Sequence, residues 1–176
     1  NKIDFLSASG HKIHAPKGIG LLYVKKGGRI LPLLNGGGQE KGMRSRTENV
    51  PGIAAFGVAI AEALAQRKIR MQGMQAVCEA LCTGLQKEQI EFYSNSQMDE
   101  NGVPYILNLS FPGAPAEVLL HYLEQDGICV SAGSACSSRK DIFSHVLQAM
   151  DLPKERLASS LRFSFSGSNT VEEAQI

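Results

Sequence analysis

The sequence predicts an α/β protein. Three observations carry the prediction: short apolar runs bounded by turn residues, longer stretches with apolar residues at helical spacing, and the alternation of the two along the chain. Residues 3–8 and 20–24 read as strands, separated by a turn rich in Gly, His, Lys and Pro. Residues 27–49 hold six glycines and little periodicity, which marks a long functional loop. Positions 53, 56, 57, 60, 61 and 64 form one helical stripe, and 74, 77, 78, 81, 82 and 85 form a second. The polar stretch 66–70 between them is the candidate domain boundary. Further strands are expected near 90–93, 105–110, 128–130 and 160–164, and helices over 115–125 and near 141–150. Thr170 and Glu173 read as a capping box. The three residues after Glu173 are too few for a helix, and the chain opens in a strand-like segment without Met. Both features are expected of a piece of a longer protein.

The 176 residues carry a formal net charge of +1, with 43% hydrophobic and 20% charged residues. Such a balance gives no electrostatic reason to expect a nucleic-acid partner or a membrane surface. No apolar run approaches the ~20 residues of a membrane span, and no signal peptide is evident at residues 1–9. Four cysteines, at 78, 82, 129 and 136, show no spacing typical of a zinc site or a disulfide framework. No metal is therefore expected, and a reducing cytoplasm is the expected location.

Four constellations carry candidate chemistry. The first is Ser9-Gly10-His11-Lys12, followed by Ala15-Pro16-Lys17-Gly18-Ile19-Gly20. It offers an amine able to form a Schiff base, with a hydroxyl and an imidazole able to bind an anion. A solvated turn lysine is the alternative reading, and the residues alone leave both open. The second is Gly36-Gly37-Gly38-Gln39-Glu40 with Arg44-Ser45-Arg46-Thr47-Glu48-Asn49, either an anion-binding loop or a flexible surface loop. The third is Cys136 within Ser131–Ser138, a run of small residues that suits an accessible thiol, with Arg139 and Lys140 beyond it. Cys78, Cys82 and Cys129 read instead as buried small apolar residues. The fourth is Arg162 in the last strand, which either pairs with a buried carboxylate or points at an anionic ligand. His14, His121 and His145 have no partner at ligand spacing.

Taken together, the segments SGHKIHAPKGIGLLYV, GGGQEKGMRSRTENVPGI, SAGSACSS and SSLRFSFSGSNTVEE resemble the cysteine desulfurases of the class V aminotransferase superfamily. The resemblance covers nearly the whole chain. It implies a fragment of a type I pyridoxal-phosphate-dependent transferase: residues 1–66 as the end of the large cofactor domain and 67–176 as most of a small C-terminal domain. It implies that Lys12 covalently holds pyridoxal 5′-phosphate and that Ser9 and His11 bind its phosphate. Thr47 would reach the phosphate of the neighbouring subunit's cofactor in a homodimer. Arg162 would bind the carboxylate of L-cysteine. Cys136 would take the sulfur as a persulfide, leaving L-alanine, for iron–sulfur cluster or thiolation pathways through an acceptor such as an iron–sulfur scaffold. Arg46 departs from the pattern, since glycine is usual before the threonine. If that backbone needs positive φ, the side chain costs about 1 kcal/mol. The family's ring-pairing aspartate and ring-stacking histidine precede the matched segments, so the 176 residues alone are expected to be inactive. A selenocysteine lyase, an aminotransferase of the same fold, and a non-catalytic piece serving dimerisation or acceptor docking remain alternatives, with the cysteine loop favouring a desulfurase.

Overall fold

The computed structural model describes residues 2–99, 102–132 and 143–175. Contacts divide the chain into two compact units, 1–67 and 68–176.

The first unit opens with an antiparallel pair, β1 (Phe5–Ser9) and β2 (Gly20–Val24), in register from Phe5 opposite Val24 to Ser9 opposite Gly20. The register lets backbones meet closely at Gly20, where a β-carbon would stand 2.6 Å from the Ala8 carbonyl oxygen. A small core of Ala15, Ile19 and Phe56, flanked by Ile13, Ala59 and Ile60, seats the connecting turn on the following helix.

That helix, α1 (Val50–Lys87), is one unbroken element of 38 residues. Asn49 caps it, with Oδ1 accepting from the Gly52 amide at 3.1 Å. The two apolar stripes of the sequence are thus two stretches of one helix. Gln66–Arg70 is polar but contains neither Gly nor Pro, and Gln, Arg and Lys favour helix. The division between the units, at Arg67/Lys68, falls inside the helix. Gln89, at φ 59, ends it, and the Ile90 amide reaches back to the Leu85 carbonyl at 2.9 Å.

The second unit is built on an antiparallel sheet of β3 (Tyr93–Ser94), β4 (Ile106–Ser110) and β5 (Ser160–Ser164), in that order. Leu107, Leu109 and Leu161 are fully enclosed and pack with Cys78, Phe111 and Ala116. Cys78 belongs to the second apolar stripe, so its stretch of α1 covers this core. Helix α2 (Ala116–Gln125) adds Leu119, Leu120 and Leu123. Two short helices follow, α3 (His145–Ala149) and α4 (Lys154–Ala158). The second of these is absent from the sequence reading. The strand expected at 128–130 does not form; pairing with β5 there shrinks to a single bridge at Ser131. At the sheet margin Asn95 donates to Asn108 Oδ1 and Ser110 Oγ, both at 2.7 Å, and the Arg156 guanidinium stacks 5.2 Å from the Tyr93 ring centroid. The capping box closes as expected. The Glu173 amide donates to Thr170 Oγ1 at 3.3 Å and the Thr170 amide to Glu173 Oε2 at 3.1 Å, over a 3-10 turn, Glu173–Gln175.

Candidate functional site

Ser9, His11 and Lys12 are brought together by one tight turn. Ser9 ends β1 and Gly10–Ile13 forms a single 3-10 turn carrying the lysine. The turn is pinned twice by Gly10: its amide donates to the Ile19 carbonyl at 2.9 Å, and its carbonyl accepts from the Ala15 amide at 3.1 Å. Gly10 is buried, and a β-carbon there would lie 2.8 Å from Ile19 Cγ2 and 3.0 Å from Ala15 Cβ. His14 closes the turn in the left-handed region, at φ 67, with its amide returned to the Gly10 carbonyl. So packing fixes the turn's backbone while the Ser9, His11 and Lys12 side chains stay exposed. Lys12 forms no ion pair among the described residues. This trio supplies an amine for an aldehyde, and a hydroxyl and an imidazole for a phosphate, a donor set that fits pyridoxal phosphate.

Thr47 lies in the same unit, exposed, three residues before α1. The glycine-rich loop before it is held by the Ser45 amide donating to the Leu34 carbonyl at 3.1 Å, which sets Gly36 against the Ser45 side chain. Of Gly36, Gly37 and Gly38 only the last has positive φ, at 80. The left-handed backbone is taken up also by Glu40 (φ 51) and Lys41 (φ 58), neither of them glycine. Arg46 is not among the positive-φ residues, so its β-carbon brings no strain of the kind weighed from the sequence. It is half-buried, and its Nε is enclosed without a hydrogen-bond partner.

Arg162 lies in the second unit, on β5 opposite Asn108. Its backbone bridges to Ser131, amide to carbonyl at 2.7 Å and carbonyl to amide at 3.1 Å, and its Nη2 stands 3.5 Å from Ser131 Oγ. Ser131 is the first residue of the cysteine segment, so the root of that segment is tied to the arginine. The Nε of Arg162 is also buried and unpartnered. No carboxylate pairs with it among the described residues, which leaves a fork suited to an anionic ligand. Cys136 itself lies outside the described residues.

The other cysteines differ from the sequence reading in one case. Burial pushes the Cys78 thiol up to about 11, helped by the neighbouring Cys82 and Glu79, and it donates to the Pro104 carbonyl at 3.0 Å. Cys82 is likewise raised by burial. Cys129, expected to be packed in a strand, is exposed, and that strand does not form. Among the described residues no cluster of His, Cys, Asp and Glu could hold a metal ion, and no helix is long and apolar enough to cross a membrane. An open apolar groove in the second unit, lined by Leu119, Leu123, Cys129, Phe163 and Phe165 among others, includes none of the predicted site residues.

Comparison with known proteins matches this arrangement to one family. The class V aminotransferase model matches residues 1–176. The chain is 44% identical over 173 residues to a cysteine desulfurase of Gluconacetobacter diazotrophicus, covering 97% of this chain and 42% of that one. It is 43% identical over 174 residues to a cysteine desulfurase of Nostoc, covering 99% and 43%. A solved NifS-like protein superposes with a TM-score of 0.85 at 34% identity, covering 98% of this chain and 43% of the other. The chain thus spans less than half the length of these relatives. By the match over its whole length, the chain belongs to the class V aminotransferase family.

Proposed function

We propose that this chain works in a pyridoxal-phosphate-dependent cysteine desulfurase, where it supplies the cofactor lysine, the substrate arginine and the sulfur-accepting cysteine. The observation that carries the reading is the glycine-pinned turn presenting Ser9, His11 and Lys12, in a chain matched to the family from end to end. Residues 1–66 form the end of the cofactor domain and 67–176 the smaller domain, a division supported by the contact boundary at Arg67/Lys68. The protein works as a cytoplasmic homodimer and passes sulfur to an acceptor such as an iron–sulfur scaffold.

Lys12 holds the cofactor, and Ser9 and His11 bind its phosphate. Thr47 reaches the phosphate held by the partner subunit. Once bound, the cofactor supplies an electron sink for the substrate's carbon skeleton. Arg162 fixes the L-cysteine carboxylate through its planar fork, and its bridge to Ser131 steadies the strand that carries it. The Cys136 thiolate attacks the substrate sulfur. An S–S bond forms as the C–S bond breaks, the carbon keeps the electron pair and takes a proton, and the products are a Cys136 persulfide and L-alanine. Cys78 is buried and Cys82 half-buried, and burial raises both thiols, so neither competes as a thiolate at neutral pH. Cys129 is exposed and is the thiol against which Cys136 must be tested.

Borohydride reduction of the cofactor-loaded protein, followed by peptide mass spectrometry, tests the assignment of Lys12. A pyridoxyl group on the Lys12 peptide is expected, and its loss in Lys12→Ala. A pyridoxyl group on another lysine overturns it.

A further inference from the structure

We propose that Asn35 is a site of spontaneous covalent modification, its side-chain amide converting to aspartate and isoaspartate through the neighbouring Gly36. The inference stands apart from the desulfurase reading. The Gly36 backbone nitrogen attacks Asn35 Cγ. The new N–C bond closes a cyclic imide, the Cγ–Nδ2 bond breaks, and ammonia leaves with the proton lost by the attacking nitrogen. Water then opens either carbonyl of the imide, giving aspartate or isoaspartate, with no oxidation or reduction. The step needs a free side chain, a free backbone nitrogen and a following residue without a β-carbon in the way. The chain holds two Asn-Gly pairs, Asn35-Gly36 and Asn101-Gly102. At the first, both residues are exposed, and neither the Asn35 side chain nor the Gly36 amide makes a hydrogen bond among the described residues. The anchor of the loop, the Ser45 amide on the Leu34 carbonyl, stops one residue short of Asn35. At the second pair the Gly102 amide donates to the Asp99 carbonyl at 3.0 Å. A hydrogen bond of this kind keeps the proton on the nitrogen, as it does in slow amide exchange. The other described asparagines are held by their side chains. Asn49 accepts from Gly52, Asn95 donates to Asn108, and Asn169 accepts from Ser166. Each of these four is followed by a residue with a β-carbon. Asn35 therefore meets all three conditions together. Its conversion takes the formal net charge from +1 to 0, in a loop that carries Lys41, Arg44 and Arg46.

Incubation of the intact protein in mildly alkaline buffer tests this, followed by ion exchange and by peptide mass spectrometry with isoaspartate-specific methyl labelling. In the folded protein the Asn35 peptide is expected to convert about fivefold faster or more than the Asn101 peptide, because the Gly102 amide must first be released from its bond. In urea that bond is gone, and the two peptides are expected to convert at comparable rates. Gly36→Ala places a β-carbon on the attacking residue and is expected to slow conversion at Asn35 severalfold while leaving Asn101 unchanged. That β-carbon would also stand 3.0 Å from Ser45 Cβ, so the comparison of folded and unfolded wild type carries the test if the variant folds poorly. No conversion at Asn35, conversion at Asn101 as fast or faster in the folded protein, the same ratio with and without urea, or an undiminished rate in folded Gly36→Ala each overturns the proposal.

Discussion

Substituting Gly10 with alanine should loosen the turn that presents Lys12, and the size of the effect follows from the contacts. The new β-carbon would stand 2.8 Å from Ile19 Cγ2, 3.0 Å from Ala15 Cβ and 3.0 Å from the Ile19 carbonyl oxygen. Comfortable carbon contacts lie at about 3.5–4.0 Å, so all three neighbours must give way. Ile19 and Ala15 are themselves buried against Phe56, which leaves little room to yield. Overpacking of this kind costs about 1–3 kcal/mol. If the Ile19 carbonyl retreats, its bond from the Gly10 amide weakens as well, adding about 1 kcal/mol. The expected total is about 2–4 kcal/mol. Gly18→Ala is the comparison: it meets nothing within 4 Å, and its φ of +86 alone should cost about 1–2 kcal/mol. Amide hydrogen exchange reads the effect locally. The Ala15 amide, bonded to the Gly10 carbonyl, should exchange roughly thirtyfold faster or more in Gly10→Ala, since each 1.4 kcal/mol is about tenfold. The Lys25 amide, bonded to the Asp4 carbonyl at the far end of the strand pair, should change far less. Ala15 protection within about twofold of wild type would refute the claim that Gly10 packing fixes the turn.

Other expectations follow from the second unit. Leu109→Ala removes a fully enclosed side chain and should lower stability by about 2.7–5 kcal/mol in urea titration, with the slope unchanged. Asn95→Ala strips partners from Asn108 and Ser110 and should cost about 1–3 kcal/mol, whereas Gln97→Ala on the exposed loop should cost under about 0.5. Cys78 should resist alkylation at pH 8, while exposed Cys129 reacts, as read by mass spectrometry. Because the folded-state value of Cys78 is raised from 9.0 to about 11, the folded protein holds that proton more tightly than the unfolded chain. Its contribution to stability is therefore complete below pH 9 and lost as pH rises toward about 11, which urea midpoints measured over that range should show.

Strands with alternating or continuous apolar residues were legible in the sequence, because Leu107, Leu109 and Leu161 state their burial in their own spacing. The continuity of α1 was not. Polar residues at 66–70 interrupt a stripe, but a helix is interrupted by backbone chemistry, and that stretch has none to break it. Ile128–Val130 has strand composition, yet among the described residues β5 bridges only to Ser131 beyond it, and tertiary pairing decides what propensity only permits. The Lys12 turn was legible as a motif. The role of Gly10 was not, since it depends on Ile19 and Ala15 folding back over it. Glycine before the threonine points to a left-handed backbone at position 46, whereas the left-handed residues of that loop are Gly38, Glu40, Lys41 and Gly42. The link between Ser131 and Arg162 joins two motifs 31 residues apart and is set by sheet register, which no local pattern reveals.

The central claim concerns where the sulfur goes. The cofactor-loaded protein, treated with L-cysteine and digested without reductant, should carry one added sulfur on the Cys136 peptide and none on the Cys129 peptide. In Cys136→Ala, addition of cysteine should still shift the visible spectrum, because the proposed reading assigns binding to Lys12 and Arg162, while no sulfide appears on reduction. Cys129→Ala should behave as wild type. Sulfide release at near wild-type rate by Cys136→Ala, or the added sulfur on Cys129, would contradict the account.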